Sequence, residues 1–460
     1  MEIGTDNVKG KSVPNQRSNQ IDVKEVLYKT VHHFFPYFVD WLSQIDDPRQ
    51  ENKIQYPLPF LIWIGILLFM MKLESRRQIN FQFNTKEFIE NLNILAGVEL
   101  DKVAHDCTLA YLLKRLVIGS ISKLRRRMIN RLIRMRCLER FRLLGRYYLI
   151  TIDATGHLIF KERHCEHCLV MKINGKEYYY HNVLEAKLVG ANGLALSILS
   201  EFIENPNEKY DKQDCELKAF YRLAENLKRY FPQLPICLLL DSLYAKKPVF
   251  DICKENKWKY IITFKEGSMP ATYAEYIALK SLCPENIAHL KRDEIEQDYH
   301  WVNDIDYQDH LLGVLECNEL KPGKDDKKEH TRFVWISNLE INKATFKEIA
   351  QGGRLRWKTE NEGFNTQKNG GYNMEHAYSQ DELAAKNFYL LLQIAHIINQ
   401  LMEKGSLLKE EDIQKIFGSI RNIARKLLED FRTKATTLTH LQDLLSVPFQ
   451  IRFDWYFDTS

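Results

Sequence analysis

Three carboxylates set the chemical question. Asp153 follows the apolar, β-branched run Tyr148-Leu149-Ile150-Thr151-Ile152, and Asp241 follows Ile236-Cys237-Leu238-Leu239-Leu240. Runs of this kind have the composition of buried strands. An aspartate at one strand end commonly serves turn backbone and says little. Two of them ending two unusually apolar strands say more, because an ionised carboxylate at such a rim is costly without a compensating partner. A hard divalent cation bound by oxygen ligands is such a partner. The third carboxylate, Glu360, lies in Arg356-Trp357-Lys358-Thr359-Glu360-Asn361-Glu362-Gly363-Phe364-Asn365-Thr366-Gln367-Lys368. On an α-helix Arg356, Glu360, Phe364 and Lys368 stand four apart and share one face. An exposed helix with i,i+4 ion pairs would read similarly, but Trp357 and Phe364 predict partial burial.

A second group has different chemistry. His164-Cys165-Glu166-His167-Cys168 gathers soft-metal ligands. A structural zinc at Cys165 and Cys168 needs four ligands, so His164, His167 or a distant residue such as Cys215 must complete it. A turn carrying two thiols in a reducing compartment is the plainer reading, and both stay open. The nine cysteines are an odd number spread along the chain, mostly inside apolar runs, which suits buried thiols in a cytoplasmic protein.

The elements that must position these groups can be read from pattern. Residues 23–42, 56–71 and 85–95 lack strand alternation and predict an all-helical region over 1–146. Strands are expected at 148–152, 168–173, 177–188, 236–240 and 258–264, the second and third joined by the turn Asn174-Gly175. A helix is expected over 214–230, where apolar residues repeat at helical spacing. This order outlines an α/β domain over 147–400. Strands at 300–305, 311–316 and 332–336 point to a β-rich insertion at about 268–350; a helix returns over 381–402, and helices over 416–431 and 438–445 make a C-terminal region, 401–460. The stretch 56–71 is sixteen residues with two prolines, short of the roughly twenty a membrane span needs, so a buried helix is expected and no membrane partner. The first twenty residues are polar and show no secretory signal.

Charge distribution points to a partner. Residues 114–146 hold twelve basic side chains against the single acid Glu139, in a chain whose net charge is +4. A solvated helix face gains by mixing signs, whereas unrelieved like charge is best explained by a polyanion such as duplex DNA. Arg125, Arg126, Arg127, Arg131 and Arg134 are the expected phosphate contacts.

Together, the strand ending in Asp153, the strand ending in Asp241 and Arg356-Trp357-x-x-Glu360 resemble the DDE transposases of bacterial insertion sequences. The likeness is to the group whose third motif reads Tyr-x-x-Arg-x-x-x-Glu, with a lysine seven residues on. Spacings of 88 and 119 residues between the three carboxylates fit that group, and the strings Asp211-Lys212-Gln213-Asp214-Cys215-Glu216 and Glu360-Asn361-Glu362-Gly363-Phe364-Asn365 resemble a subgroup of it. The resemblance covers about residues 60–450. Gly353 stands where the family tyrosine would be, and Gln367 where its lysine would be, with Lys368 one residue later.

The resemblance implies a ribonuclease H-like catalytic domain in which Asp153, Asp241 and Glu360 hold two Mg²⁺ ions, replaceable by Mn²⁺, for DNA cleavage and strand transfer. It implies terminal inverted repeats and target DNA as partners, a homodimer on DNA, and phosphate contacts from Arg356 and Lys368. It also implies a base-stacking aromatic in the insertion, for which Trp301 is the candidate and Trp335 the second. Glu360 is preferred to Glu362 because four residues before it stands Arg356, whereas four before Glu362 stands Lys358, which lacks the guanidinium fork. The alternatives are a DNA-binding protein derived from a transposase, and a metal-dependent nuclease that does not join strands.

Overall fold

The computed structural model describes residues 21–323, 328–408 and 413–453. The polar first twenty residues lie outside the described residues.

Helices open the chain: α1 Val23–Phe34, α2 Phe38–Ser43, α3 Leu58–Met70, α4 Gln78–Gln82, α5 Lys86–Ala96, α6 Asp106–Leu113 and α7 Ile118–Arg134. Asp22 caps α1 by accepting from the backbone of Lys24 and Glu25, and Thr85 caps α5 through Phe88. The apolar stretch becomes α3, with every residue but Pro59 buried. A helix that is apolar all round belongs in a core, and among the described residues no helix is long and apolar enough to cross a membrane.

The α/β part then runs β1 Tyr148–Phe160, β2 Leu169–Ile173, β3 Lys176–Val189, β4 Ala195–Ile203, α8 Glu216–Tyr230, β5 Ile236–Leu240, α9 Lys247–Asn256 and β6 Lys259–Thr263. Asn174 and Gly175 both take positive φ, 51° and 77°, as the tight β2–β3 hairpin turn requires. Beyond it come α10 Pro270–Lys280, β7 Ile287–Arg292, β8 Ile295–Tyr307, β9 His310–Pro322, β10 Lys328–Ser337, α11 Phe346–Arg354, α12 Thr366–Asn369, α13 Glu382–Glu403, α14 Ile420–Thr433 and α15 Leu438–Ser446.

The strands join in one mixed sheet, ordered β2-β3-β1-β5-β6-β10-β9-β8-β7, with β4 on β3. The pairs β1/β5 and β5/β6 are parallel and the others antiparallel. The expected insertion is therefore an extension of the same sheet, because β10 pairs with β6. The strand expected to end at Asp153 also continues to Phe160. Its parallel partner β5 stops, but antiparallel pairing with β3 goes on across an irregularity between Gly156 and Leu158.

One apolar cluster joins α1, α3, α5 and α7 to strands β1 and β3 to β6 and to α13, so the helices and the sheet share a core. A second cluster covers the other face with Leu149, Leu239, Ile261, Trp335 and Ala350. Burial on both faces explains why these central strands are continuous apolar runs. Helix α13 is the spine: Asn387 donates to the carbonyls of Leu113 and Leu116, Asn399 to Met70, and Gln400 to Ala195. The boundary expected between residues 400 and 401 falls inside this helix.

Candidate functional site

Register explains the first two carboxylates. Parallel strands β1 and β5 pair Thr151 with Leu239; Asp153 and Asp241 each lie two residues further along. Residues two apart point to the same face, and neighbouring strands are about 4.8 Å apart. The two aspartates thus stand side by side where the parallel pairing ends. Asp241 caps a one-turn helix, Ser242–Tyr244, accepting from the Leu243 N–H at 2.8 Å, and Asp153 accepts from the Ala154 N–H at 3.0 Å.

A further carboxylate, quoted from the sequence only within the string 211–216 and given no role there, acts on them. Glu216 begins α8 and accepts from the Tyr244 hydroxyl at 2.6 Å. Burial pushes the Asp153 carboxyl up to about 6; Arg356 opposes that, while Glu216 and Asp241 add to it. Burial also raises Glu216, the Tyr244 hydrogen bond opposes it, and Asp241 pushes it further up. An acid in the first turn of a helix is common, so the sequence carried no signal that Glu216 faces the aspartates.

The Glu360 segment departs from a regular α-helix. After α11 the chain turns and forms a π-helix, Thr359–Asn365, a rarer i→i+5 winding often found at functional sites. Its wider turn breaks the expected shared face: Glu360 is exposed while Phe364 is buried, and Trp357, expected to be partly buried, is 57% exposed. The buried Thr359 hydroxyl hydrogen-bonds the Thr151 hydroxyl, so the segment lies on the face of β1 that carries Asp153. A β-carbon at Gly363 would stand 2.9 Å from Lys187 Cε, so any larger residue there has to displace that buried side chain. Arg356 Nη1 lies 3.7 Å from Asp153 Oδ2, and its buried Nε has no hydrogen-bond partner. Glu362 turns elsewhere, to Lys358 at 3.5 Å and to Gly193. Gly193 follows β3, whose Leu188 is level with Ile150, which puts it about 15 Å down the sheet from Asp153 at roughly 3.3 Å per residue.

No protein-family model matches the chain, and no curated protein matches it.

Several expected DNA contacts are placed differently. Arg125 is 1% exposed, and its Nη1 donates to Ser197 at 2.7 Å and to Ser200 at 2.6 Å. It compensates Glu185, itself fully buried, at 3.8 Å. Arg125 is thus a core residue and cannot reach a phosphate, because α7 turns this position onto the sheet. Arg126 lies over the Tyr230 ring at 3.8 Å; Arg127 and Arg131 are half-buried and Arg134 is exposed. Lys368 pairs with Glu375 at 2.8 Å. Trp301 is 3% exposed and stacks on Phe346 at 5.5 Å. No flipped base can reach it, since the sheet extension needs its ring as core, and Trp335 is buried likewise.

Next to Glu185 lies Lys187, fully buried, 3.9 Å from that carboxylate and 4.7 Å below the Phe364 ring centre. Burial holds its ammonium down at about 8.

The soft-ligand group is also gathered, with a member the sequence did not name. His164, Cys165, Cys168 and His181 bring one donor atom each within 4.8 Å of one another. His167 turns away to the Asn205 carbonyl, 2.8 Å from Nδ1, and Cys215 is exposed before α8. His105, Asp106 and Cys107 form another close group, explained by local structure: His105 caps α6, and Asp106 is held by Arg76 and Asn80.

Proposed function

We propose that this chain is a DNA transposase of the DDE type, cleaving DNA and joining strands with Asp153, Asp241 and Glu360. The observation that carries the reading is the β1/β5 register, which sets Asp153 beside Asp241, with the Glu360 segment bonded to the same face of β1 through Thr359 and Thr151. The order β4-β3-β1-β5-β6 supports the ribonuclease H-like expectation. It is antiparallel across β4, β3 and β1 and parallel across β1, β5 and β6, with α8 and α9 as connections. The position of Glu362, turned toward Gly193, favours Glu360 as the third ligand.

The donor set fits Mg²⁺ or Mn²⁺: the groups are carboxylate oxygens, which hard cations prefer. Burial raises Asp153 most and the neighbouring Glu216 and Asp241 add to it; a dication relieves both by compensating the charge. Such ions would supply an activated water or DNA 3′-hydroxyl and stabilise the leaving oxygen. The chain's own residues do the positioning. Arg356 steadies Asp153 and can present its remaining guanidinium N–H groups to a phosphate. Lys123, Arg127 and Arg134 lie within about 40° of one another around α7, at 100° per residue, and offer a continuous cationic strip for the duplex backbone. Glu216 is placed to adjust the charge of the carboxylate group.

The test is an assay, with Mg²⁺, on DNA taken from both flanks of the reading frame, where the resemblance implies inverted repeats. End cleavage followed by strand transfer is expected from the parent chain, and neither from Asp153→Asn or Asp241→Asn. Cleavage without joining would make the chain a nuclease, and binding without cleavage a transposase-derived DNA-binding protein.

A further inference from the structure

The connection between β1 and β2 doubles back on β3, and the hairpin register explains what meets there. Leu169 pairs with Tyr180 and Leu158 with His181. Cys168, one residue before Leu169, is therefore level with His181 and close to the end of β1. We propose that His164, Cys165, Cys168 and His181 form a structural zinc site that ties this connection to β3.

Geometry is the first argument. Cys165 Sγ lies 3.3 Å from Cys168 Sγ and 3.4 Å from His181 Nε2. Cys168 Sγ lies 3.4 Å from His164 Nδ1 and 3.5 Å from His181 Nε2. A tetrahedral zinc with Zn–S near 2.3 Å and Zn–N near 2.0–2.1 Å has donor separations of about 3.8 Å for S–S and about 3.6 Å for S–N. The three sulfur–nitrogen contacts fall within about 0.2 Å of that edge, and the sulfurs stand about 0.5 Å closer than theirs, a gap that a bound ion would open. A disulfide does not account for them, because both cysteines are free and their sulfurs stand well beyond the roughly 2.0 Å of an S–S bond. Thiol hydrogen bonds are weak and give no reason for four donors to face one point.

Charge is the second. Cys168 is fully buried and His181 is 5% exposed, where a lone charge would be costly. Zn²⁺ with two thiolates and two neutral imidazoles carries no net charge. The surroundings are those of a held ligand set. His181 Nδ1 faces Glu204 Oε1 at 3.9 Å, and Lys386 anchors that carboxylate at 2.6 Å; a carboxylate behind a ligating histidine is the usual second layer of such sites. Asn205 pins the connection from the end of β4, donating through its side chain to the Cys168 carbonyl at 2.8 Å and through its N–H to the His167 carbonyl at 3.2 Å. Four protein ligands leave no open position, so the role is structural: the metal fastens the far end of β1, the strand that carries Asp153.

The full-length chain, purified under reducing conditions and titrated with ZnCl₂, should retain one equivalent of zinc after dialysis. Cys165→Ser/Cys168→Ser should lose it, while Cys107→Ser/Cys215→Ser should keep it. With Co²⁺ in place of zinc, the parent chain should show tetrahedral d–d bands and a thiolate charge-transfer band, which oxygen ligands cannot give. Equal zinc binding by the parent and the Cys165→Ser/Cys168→Ser variant would overturn the proposal. So would a Cys165–Cys168 disulfide found by thiol trapping in the fresh chain. If that variant fails to fold, the cobalt spectrum of the parent chain decides alone, and absence of the charge-transfer band rejects the site.

Discussion

Arg356 holds a guanidinium nitrogen 3.7 Å from Asp153 Oδ2, yet the Asp153 carboxyl is still pushed up to about 6 from its ordinary 3.8. Burial and the neighbouring acids outweigh the one cation. Ionised Asp153 is therefore disfavoured in the fold relative to the unfolded chain, a penalty absent below about pH 4 and complete above about pH 6. Asp153→Asn should be more stable than the parent at pH 8, by about 1–2 kcal/mol once solvent screening of the partly exposed carboxylate is allowed for. The gain should vanish near pH 4. Urea melts at both values check this, and an equal gain at both would show that ionisation is not its source.

Arg356 is the main group holding Asp153 down. Arg356→Gln should shift the acid limb of Mg²⁺-dependent cleavage to higher pH, since the carboxylate must be ionised to take a cation. A rate loss with an unmoved profile would assign Arg356 to DNA contact alone.

Among the acids of the third segment, Glu360→Gln should abolish cleavage of end DNA while leaving DNA binding at low salt intact. Glu362→Gln should cleave measurably, because that side chain faces Lys358 and Gly193. The reverse result would transfer the role. Glu216→Gln should cleave with an acid limb moved to lower pH, since it removes one of the charges that raises Asp153.

Arg125 and the outer arginines of α7 should separate cleanly. Arg125→Ala leaves the buried Glu185 with Lys187 as its remaining cation and opens a cavity in the core, and should cost about 3–5 kcal/mol of stability. Lys123→Ala/Arg127→Ala/Arg134→Ala should leave stability nearly unchanged and flatten the slope of log affinity against log salt by up to about three units. An unchanged slope in that triple variant would remove α7 from the DNA interface.

The two tryptophans differ in the same way. Trp301→Ala should destabilise by about 3–5 kcal/mol, as loss of a buried, stacked ring does. Trp357 is exposed beside Arg356, so Trp357→Ala should melt like the parent and weaken binding of end DNA by about 1–3 kcal/mol if a base stacks on it. Unchanged affinity would rule that stacking out.

The sequence by itself determined what local rules decide. Apolar runs became β1, β5 and β6, Asn174-Gly175 became the hairpin turn, and residues 56–71 became a buried helix. The positions of Asp153 and Asp241 at the ends of two such runs were legible for the same reason. Tertiary structure alone decided what depends on partners far along the chain. Arg125 is indistinguishable from Arg127 in a charge count, and only the packing of α7 on β4 buries one against Glu185. Trp301 is core because β10 pairs with β6 and draws the expected insertion into the sheet. His181 meets Cys168, and Glu216 meets the aspartates, through strand register and helix placement that leave no mark in residue spacing. Local pattern records which face a residue prefers; which residue it meets is set by long-range pairing.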